Sequence, residues 1–190
     1  MCKFYLKQDG ESMNLKVEKV VKSKRKQEIK DIYTSSFLKE DRLPFVLMCM
    51  LSYLWHTEFL SFYDEDTLCG FVYMASIRKL TFVMFFAVDK NLRSKGYGSY
   101  ILDEIQSMHP NNKIIVSIEP CDEATENLEE KLRRKKFYFL NGYVETGYFM
   151  KLGGKKQELL IRNGTFNKKE FIRFFMLYSN LVVIPKIWNK

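Results

Sequence analysis

"FFAVDKNLRSKGYGSYIL", residues Phe85 to Leu102, decides how this chain is read. It begins as the end of an apolar run, Leu80 to Val88, that has no polar face. Such a strand is covered on both sides, as at the centre of a sheet flanked by helices. A polar loop follows, with glycines at 96 and 98. Tyr97, Ile101, Ile105 and Met108 then recur at helical spacing, and Ser99, Asp103, Glu104 and Gln106 take the other side. That is an amphipathic helix, ended by His109-Pro110.

A loop of this shape between strand and helix often holds phosphate, while many are only turns, and three phosphate motifs compete for this one. A Walker loop needs Gly-Lys-Ser/Thr in that order. Here Lys95 precedes Gly96 and Tyr97 follows it, so that reading fails. A dinucleotide fingerprint needs GxGxxG directly after a strand. Ile101 stands at the third glycine, and residues 89–95 make the turn too long, although Glu119 lies near the place of a ribose-binding acid. The third pattern, R-x-x-G-x-G/A, fits Arg93, Gly96 and Gly98. Its small residues let the backbone approach a pyrophosphate, toward which successive N–H groups and the helix N-terminus point. Alone the pattern is weak, because three fixed residues recur by chance.

Outward from this stretch, Leu15 to Ser23 alternates as a first strand, with Leu15, Val17 and Val21 as its inward positions. Ile29, Ile32, Tyr33 and Phe37 predict a helix, with Ser36 on the same face. The loop Leu38–Phe45 breaks it at Pro44, and the apolar run Leu43 to Trp55 reads as a buried helix. "EFLSFYD", "TLCGFVYMASI" and "KLTFVMFFAV" form a meander with turns at Asp64–Asp66 and Arg78-Lys79. "KIIVSIE" (Lys113 to Glu119) is another buried strand, followed by a helix over about 123–137. Two strands meet around Gly153-Gly154. A helix over 168–180 carries Phe171, Phe174, Phe175 and Tyr178, and "LVVIPKIW" reads as a short extended segment. The expected fold is α/β: one domain with a mixed, mostly antiparallel sheet flanked by helices, and an extra C-terminal helix.

Composition narrows the classes. With 190 residues, 46% hydrophobic and 15% aromatic, the chain is a packed globule of ordinary size. The start "MCKFYLKQDGESMNL" lacks the apolar stretch of a secretory signal, and no run approaches the ~20 residues of a membrane span. Cys2, Cys49, Cys69 and Cys121 show no CxxC pairing, so reduced thiols and a cytoplasmic location are expected. His56 and His109 have no ligand-spaced partners, so no metal is expected. A net charge of +8 favours anionic partners. Its clusters, Lys22–Gln27 and Lys131–Lys136, read first as solvated helix faces.

Three stretches in order, with their strands and helices, resemble the GCN5-related N-acetyltransferase (GNAT) family, bacterial type. The first is Phe85–Leu102. The second, "KFYFLNGYVETGY" (Lys136 to Tyr148), resembles the family's F-Y-x-x-x-G-F/Y signature through Tyr138, Gly142 and Tyr143. The third, looser match is "EDRLPF" (Glu40 to Phe45), a loop between the first two helices. The resemblance covers about Leu15 to Gly164, giving an expected domain over 1–164 and a helical extension over 165–190 that packs on or extends it.

The resemblance implies acetyl-CoA as acetyl donor and direct attack by an amine, with no covalent enzyme intermediate. Phe86, Ala87 and Val88 would bond the pantetheine arm through their backbone, with an N–H polarising the thioester carbonyl. Arg93, Ser94, Lys95, Gly96, Tyr97, Gly98 and Ser99 would hold the pyrophosphate. Tyr138 would protonate the leaving thiolate, being a phenol that stays protonated at neutral pH; a core-packed aromatic is its plainer role. Glu119 would receive or position the ammonium proton, against a solvated strand end. Glu40 and Asp41 would line the acceptor side. Many members carry Asn-x-x-Ala where this chain has Lys131 and Arg134, which puts that helix's cofactor contact in doubt.

The expected function is therefore acetyl transfer to a primary amine, on a small molecule or a peptide. A non-catalytic acyl-CoA sensor of the same fold is the alternative. A nucleic-acid binder has only charge in its favour, so no specific nucleic acid and no membrane partner are expected. The acceptor and the oligomeric state, a homodimer included, stay open.

Overall fold

The computed structural model describes residues 14–54, 56–121, 127–152, 154–179 and 184–190. Its strands are β1 (Lys16–Lys19), β2 (Thr57–Asp64), β3 (Thr67–Ile77), β4 (Leu80–Val88), β5 (Lys113–Ile118), β6 (Val144–Leu152), β7 (Lys155–Arg162) and β8 (Lys186–Asn189). Its helices are α1 (Lys26–Ser36), α2 (Phe45–Leu51), α3 (Tyr97–Met108), α4 (Leu128–Leu140) and α5 (Lys168–Tyr178). The strands form one mixed, mostly antiparallel sheet in the order β1-β2-β3-β4-β5-β7-β6-β8. β4 and β5 pair in parallel, from Leu80↔Lys113 to Val83↔Val116, and β4 itself continues past that register to Val88. Among the described residues, no helix is long and apolar enough to cross a membrane.

Two compact units make up the chain. One holds the described residues up to Met74 together with Phe85–Met108. Its core is aromatic. Tyr33 of α1 meets Phe71 at 5.9 Å and Phe85 at 5.2 Å, while Phe59 of β2 meets Phe45 at 5.5 Å and Tyr73 at 5.4 Å. Ile101, Leu102 and Ile105 of α3 are fully buried. The other unit holds Ala75–Met84 and His109–Lys190. There the α5 stripe Phe171, Phe174 and Phe175 is buried with Phe82, Ile115, Leu159 and Ile161. Residues 168–178, set apart in the sequence as an extension, thus supply part of this unit's core.

Several expectations change or sharpen. The first strand stops at Lys19, and a 3-10 turn over Val20–Lys22 buries Val20 where Val21 was expected inward. The run Leu43–Leu54 is not a buried helix: α2 has seven residues, Met48 is its buried side chain, and Val46, Met50 and Tyr53 are 70%, 64% and 77% exposed. A two-turn helix started by Pro44 presents one face, so only side chains three or four apart reach the core. The helix expected over 123–137 begins at Leu128 and runs to Leu140, residues 122–126 lying outside the described set. Finally, part of the extended segment "LVVIPKIW" is a true strand, as β8 pairs antiparallel with β6 from Tyr148↔Asn189 to Lys151↔Lys186; residues 181–183 lie outside the described set.

An ion cluster around one buried carboxylate fastens that end of the sheet. Glu158 on β7 is 3% exposed and accepts from Lys135 of α4 at 2.9 and 3.0 Å and from Lys190 at 3.0 Å. Glu145 of β6 pairs with the same two lysines. Lys135 therefore does not belong to a solvated face, as its run of basic residues had suggested.

Candidate active site

In the first unit, β3 and the end of β4 lie in unusually close contact. Gly70 is the reason. A β-carbon added there would stand closer than 3.0 Å to the Ala87 carbonyl oxygen, 3.1 Å from Val88 Cα and 3.3 Å from the Ala87 carbonyl carbon. No side chain fits against so much backbone. Next along, Asp89 donates its N–H to the Cys69 carbonyl at 2.9 Å, so Asp89 faces β3. Backbone groups of successive strand residues point to opposite edges, which turns the N–H and C=O of Val88, and of Phe86 before it, to the other edge. Phe86 and Val88 are half-buried and Ala87 is buried. Gly70 carries no motif and was missed in the sequence; a lone glycine inside an apolar strand was its one signal.

The loop beyond β4 is shaped locally. The Asp89 carboxylate caps a 3-10 turn over Lys90–Leu92, accepting the Asn91 N–H at 2.8 Å. Ser94 (φ 64°) and Gly96 (φ 89°) are both left-handed. Regular helical bonding starts with Ser99 and Tyr100, which both donate to the Gly96 carbonyl, at 3.0 and 3.2 Å. The N–H groups ahead of Ser99 thus have no partner in the helix ladder, the ordinary condition of a helix start. Arg93, Ser94 and Lys95 are exposed. Tyr97 donates its hydroxyl to Asp64 Oδ2 at 2.7 Å, pinning the first turn of α3 to the end of β2; that bond, with burial, pushes the phenol well above its ordinary range. A neutral donor fixed on Asp64 orients the loop without adding charge to it.

Glu40 and Asp41 form a 3-10 turn between α1 and α2, Glu40 exposed and Asp41 half-buried. Tyr33 donates to the Leu43 carbonyl at 3.1 Å and Arg42 Nε to the Phe37 carbonyl at 2.7 Å. Phe37 in turn packs edge-on against Phe85 of β4 at 5.1 Å. The loop with Glu40 and Asp41 is therefore joined to β4 through Phe37 and Tyr33, both of which pack edge-on against Phe85.

In the second unit, the spacing of Tyr138, Gly142 and Tyr143 has a local cause. Tyr143 donates its N–H to the Tyr138 carbonyl and Gly142 to that of Phe139, both at 3.1 Å, with Gly142 left-handed at φ 78°. This is a Schellman end to α4, completed by Tyr138 and Tyr143 rings 5.3 Å apart. Tyr138 is 7% exposed, and burial pushes its phenol up to about 12. It stays protonated at any physiological pH. Glu119, just past β5, is about half exposed and is held by Lys131 at 3.1 Å and Arg134 at 3.9 Å. The two bases that replace Asn-x-x-Ala are thus engaged with the carboxylate expected to handle the proton. Among the described residues no His, Cys, Asp or Glu cluster could hold a metal ion.

The sheet with its central parallel pair, the glycine loop and the tyrosine helix end define a fold of the acyltransferase type. The profile of the acetyltransferase (GNAT) family matches residues 26–133, and the chain belongs to that family. No curated protein matches it. Among solved structures, a GNAT-family acetyltransferase from Bacteroides thetaiotaomicron is similar over 89% of this chain and 97% of its own, at 17% identity and TM-score 0.70. An acetyltransferase from Bacillus subtilis in complex with CoA covers 80% of this chain and 99% of its own, at 16% identity and TM-score 0.55. An aminoglycoside 6'-N-acetyltransferase complexed with coenzyme A covers 77% and 96%, at 13% and 0.58. At such identities the likeness is one of fold.

Proposed function

We propose that the chain moves an acetyl group from acetyl-CoA to a primary amine by direct attack within a ternary complex. The observation that carries this reading is the continuous path from the outward edge of β4, at Phe86 and Val88, through left-handed Ser94 and Gly96 into α3. Backbone groups on the edge of β4 away from β3, as at Val88, suit an amide-rich arm, and N–H groups ahead of the helix ladder suit a pyrophosphate. Two of the neighbouring structures hold coenzyme A, which supports the same donor. The bound thioester would supply an activated acyl group. Val88 N–H would donate to its carbonyl oxygen, and residues 93–99 would hold the phosphates mainly by main chain. Tyr138 would keep its proton until a thiolate takes it. Glu40 and Asp41 would line the acceptor side.

Glu119 supports a second reading. Its pairing with Lys131 and Arg134 occupies the carboxylate proposed to relieve the ammonium of its proton, as suits a member of the fold that binds acyl-CoA without turnover. Calorimetry with acetyl-CoA, followed by thiol release across a broad panel of primary amines, separates the cases. Binding with turnover supports the enzyme. Binding without turnover supports the sensor, and absence of binding removes both.

A further inference from the structure

A cavity of about 300 Å³ opens in the second unit between α5 and the turn joining β3 to β4. Ile77, Leu80 and Phe174, all almost wholly buried, line it with apolar surface. Arg78, Lys169 and Arg173 line it as well. Among the described residues these three cations make no ion pair, while Glu170, the carboxylate on the same wall, is already held by Lys113 at 2.7 Å. The helix that builds the wall lies beyond residues 26–133, the part matched to the family.

We propose that this cavity binds a small amphipathic anion, a carboxylate or phosphate monoester with an apolar body. Three unmatched positive charges around one opening repel one another, and an anionic head relieves that repulsion. The guanidinium forks of Arg78 and Arg173 suit either head, and Lys169 adds a point charge. The apolar body covers Leu177, 47% exposed at the same cavity, and packs on what remains accessible of Ile77, Leu80 and Phe174. At the roughly 30 Å³ that a water takes in the liquid, the volume admits about ten heavy atoms. The site is independent of the acetyl-transfer reading.

The test uses the full chain and four probes, titrated by calorimetry below any micelle concentration. Octanoate and hexyl phosphate carry both head and body, inorganic phosphate carries only a head, and 1-octanol only a body. Octanoate or hexyl phosphate should bind at least about tenfold tighter than both single-feature probes, and the tighter of the two assigns the head. Arg78→Ala and Arg173→Ala, both at exposed positions, should each weaken that binding at least about fivefold while the melting temperature holds. Equal affinity of all four probes would overturn the proposal. So would tight binding that survives both arginine substitutions, because the ligand would then sit elsewhere.

Discussion

Gly70→Ala tests the geometry of β4 directly. The added methyl would meet backbone only: the Ala87 carbonyl oxygen at less than 3.0 Å, Val88 Cα at 3.1 Å and the Ala87 carbonyl carbon at 3.3 Å. No flexible side-chain end is among them, so β3 and β4 must part by several tenths of an ångström. Overpacking of this kind costs about 1–3 kcal/mol. For a chain of 190 residues that lowers the melting temperature by roughly 2–12 °C. The functional effect is larger. Parting the strands pushes Val88 toward the edge proposed to carry the acyl group, moving the N–H proposed to polarise the thioester. Loss of one such donor costs on the order of 10²–10³ in turnover. The assay compares acetyl-CoA affinity, turnover and melting temperature for wild type, Gly70→Ala and Cys69→Ala. Cys69→Ala, which trims a neighbouring buried side chain, should lower the melting temperature while sparing turnover. Unchanged turnover in Gly70→Ala, or an equal loss in both variants, would refute the reasoning.

Tyr138→Phe should lower turnover by roughly 10²–10⁴ and leave acetyl-CoA affinity within twofold or so; equal turnover removes the hydroxyl from the reaction. With the phenol held up to about 12, no alkaline loss of turnover from Tyr138 should appear below about pH 11. Gly98→Val should weaken acetyl-CoA binding by at least about tenfold, while Lys95→Ala changes it by less than threefold or so, if main chain holds the phosphates; calorimetry reads both. Glu158→Ala removes the buried acceptor shared by Lys135 and Lys190, leaving both to Glu145, and should cost about 1.5–3 kcal/mol in urea unfolding; a loss below about 0.5 kcal/mol would show the cluster to be idle. The Glu145 carboxyl is held below its usual range, chiefly by the Lys135 hydrogen bond, so its stabilisation is present above about pH 4.5 and fades as pH falls through the lowered value. Lys135 is held above its usual range by Glu145 and Glu158 against the cost of burial, so its share is present below about pH 10.5 and fades above the raised value. Urea midpoints should thus be level between these limits, and Glu145→Gln should flatten the acid side.

Much of the fold can be read from local pattern. Periodicity located α1, α3 and α5, and unbroken apolarity located β4 and β5, because burial on one stripe or on both faces leaves that trace at short range. The order of residues in the loop excluded a Walker site without any structure. Tyr138, Gly142 and Tyr143 were visible as a spacing, which the structure resolves into a helix end whose hydrogen bonds demand glycine at one position and favour two apolar neighbours. Apolarity misled at Leu43–Leu54. Sequence records which side chains could be buried, while the length of α2 and the face it offers decide which are.

Contacts between residues far apart in the chain needed the tertiary structure. Gly70 against Ala87, Tyr97 on Asp64, Glu119 between Lys131 and Arg134, and Glu158 between Lys135 and Lys190 leave no periodic mark, since each depends on pairing across elements. The sequence alone determined the class of fold and the glycine loop, because backbone conformation and hydrophobic period are written locally, while Tyr138 was reached through resemblance to a family signature. Only the folded chain decided which charges are matched and where one strand's backbone presses on another's, because those depend on distance in space.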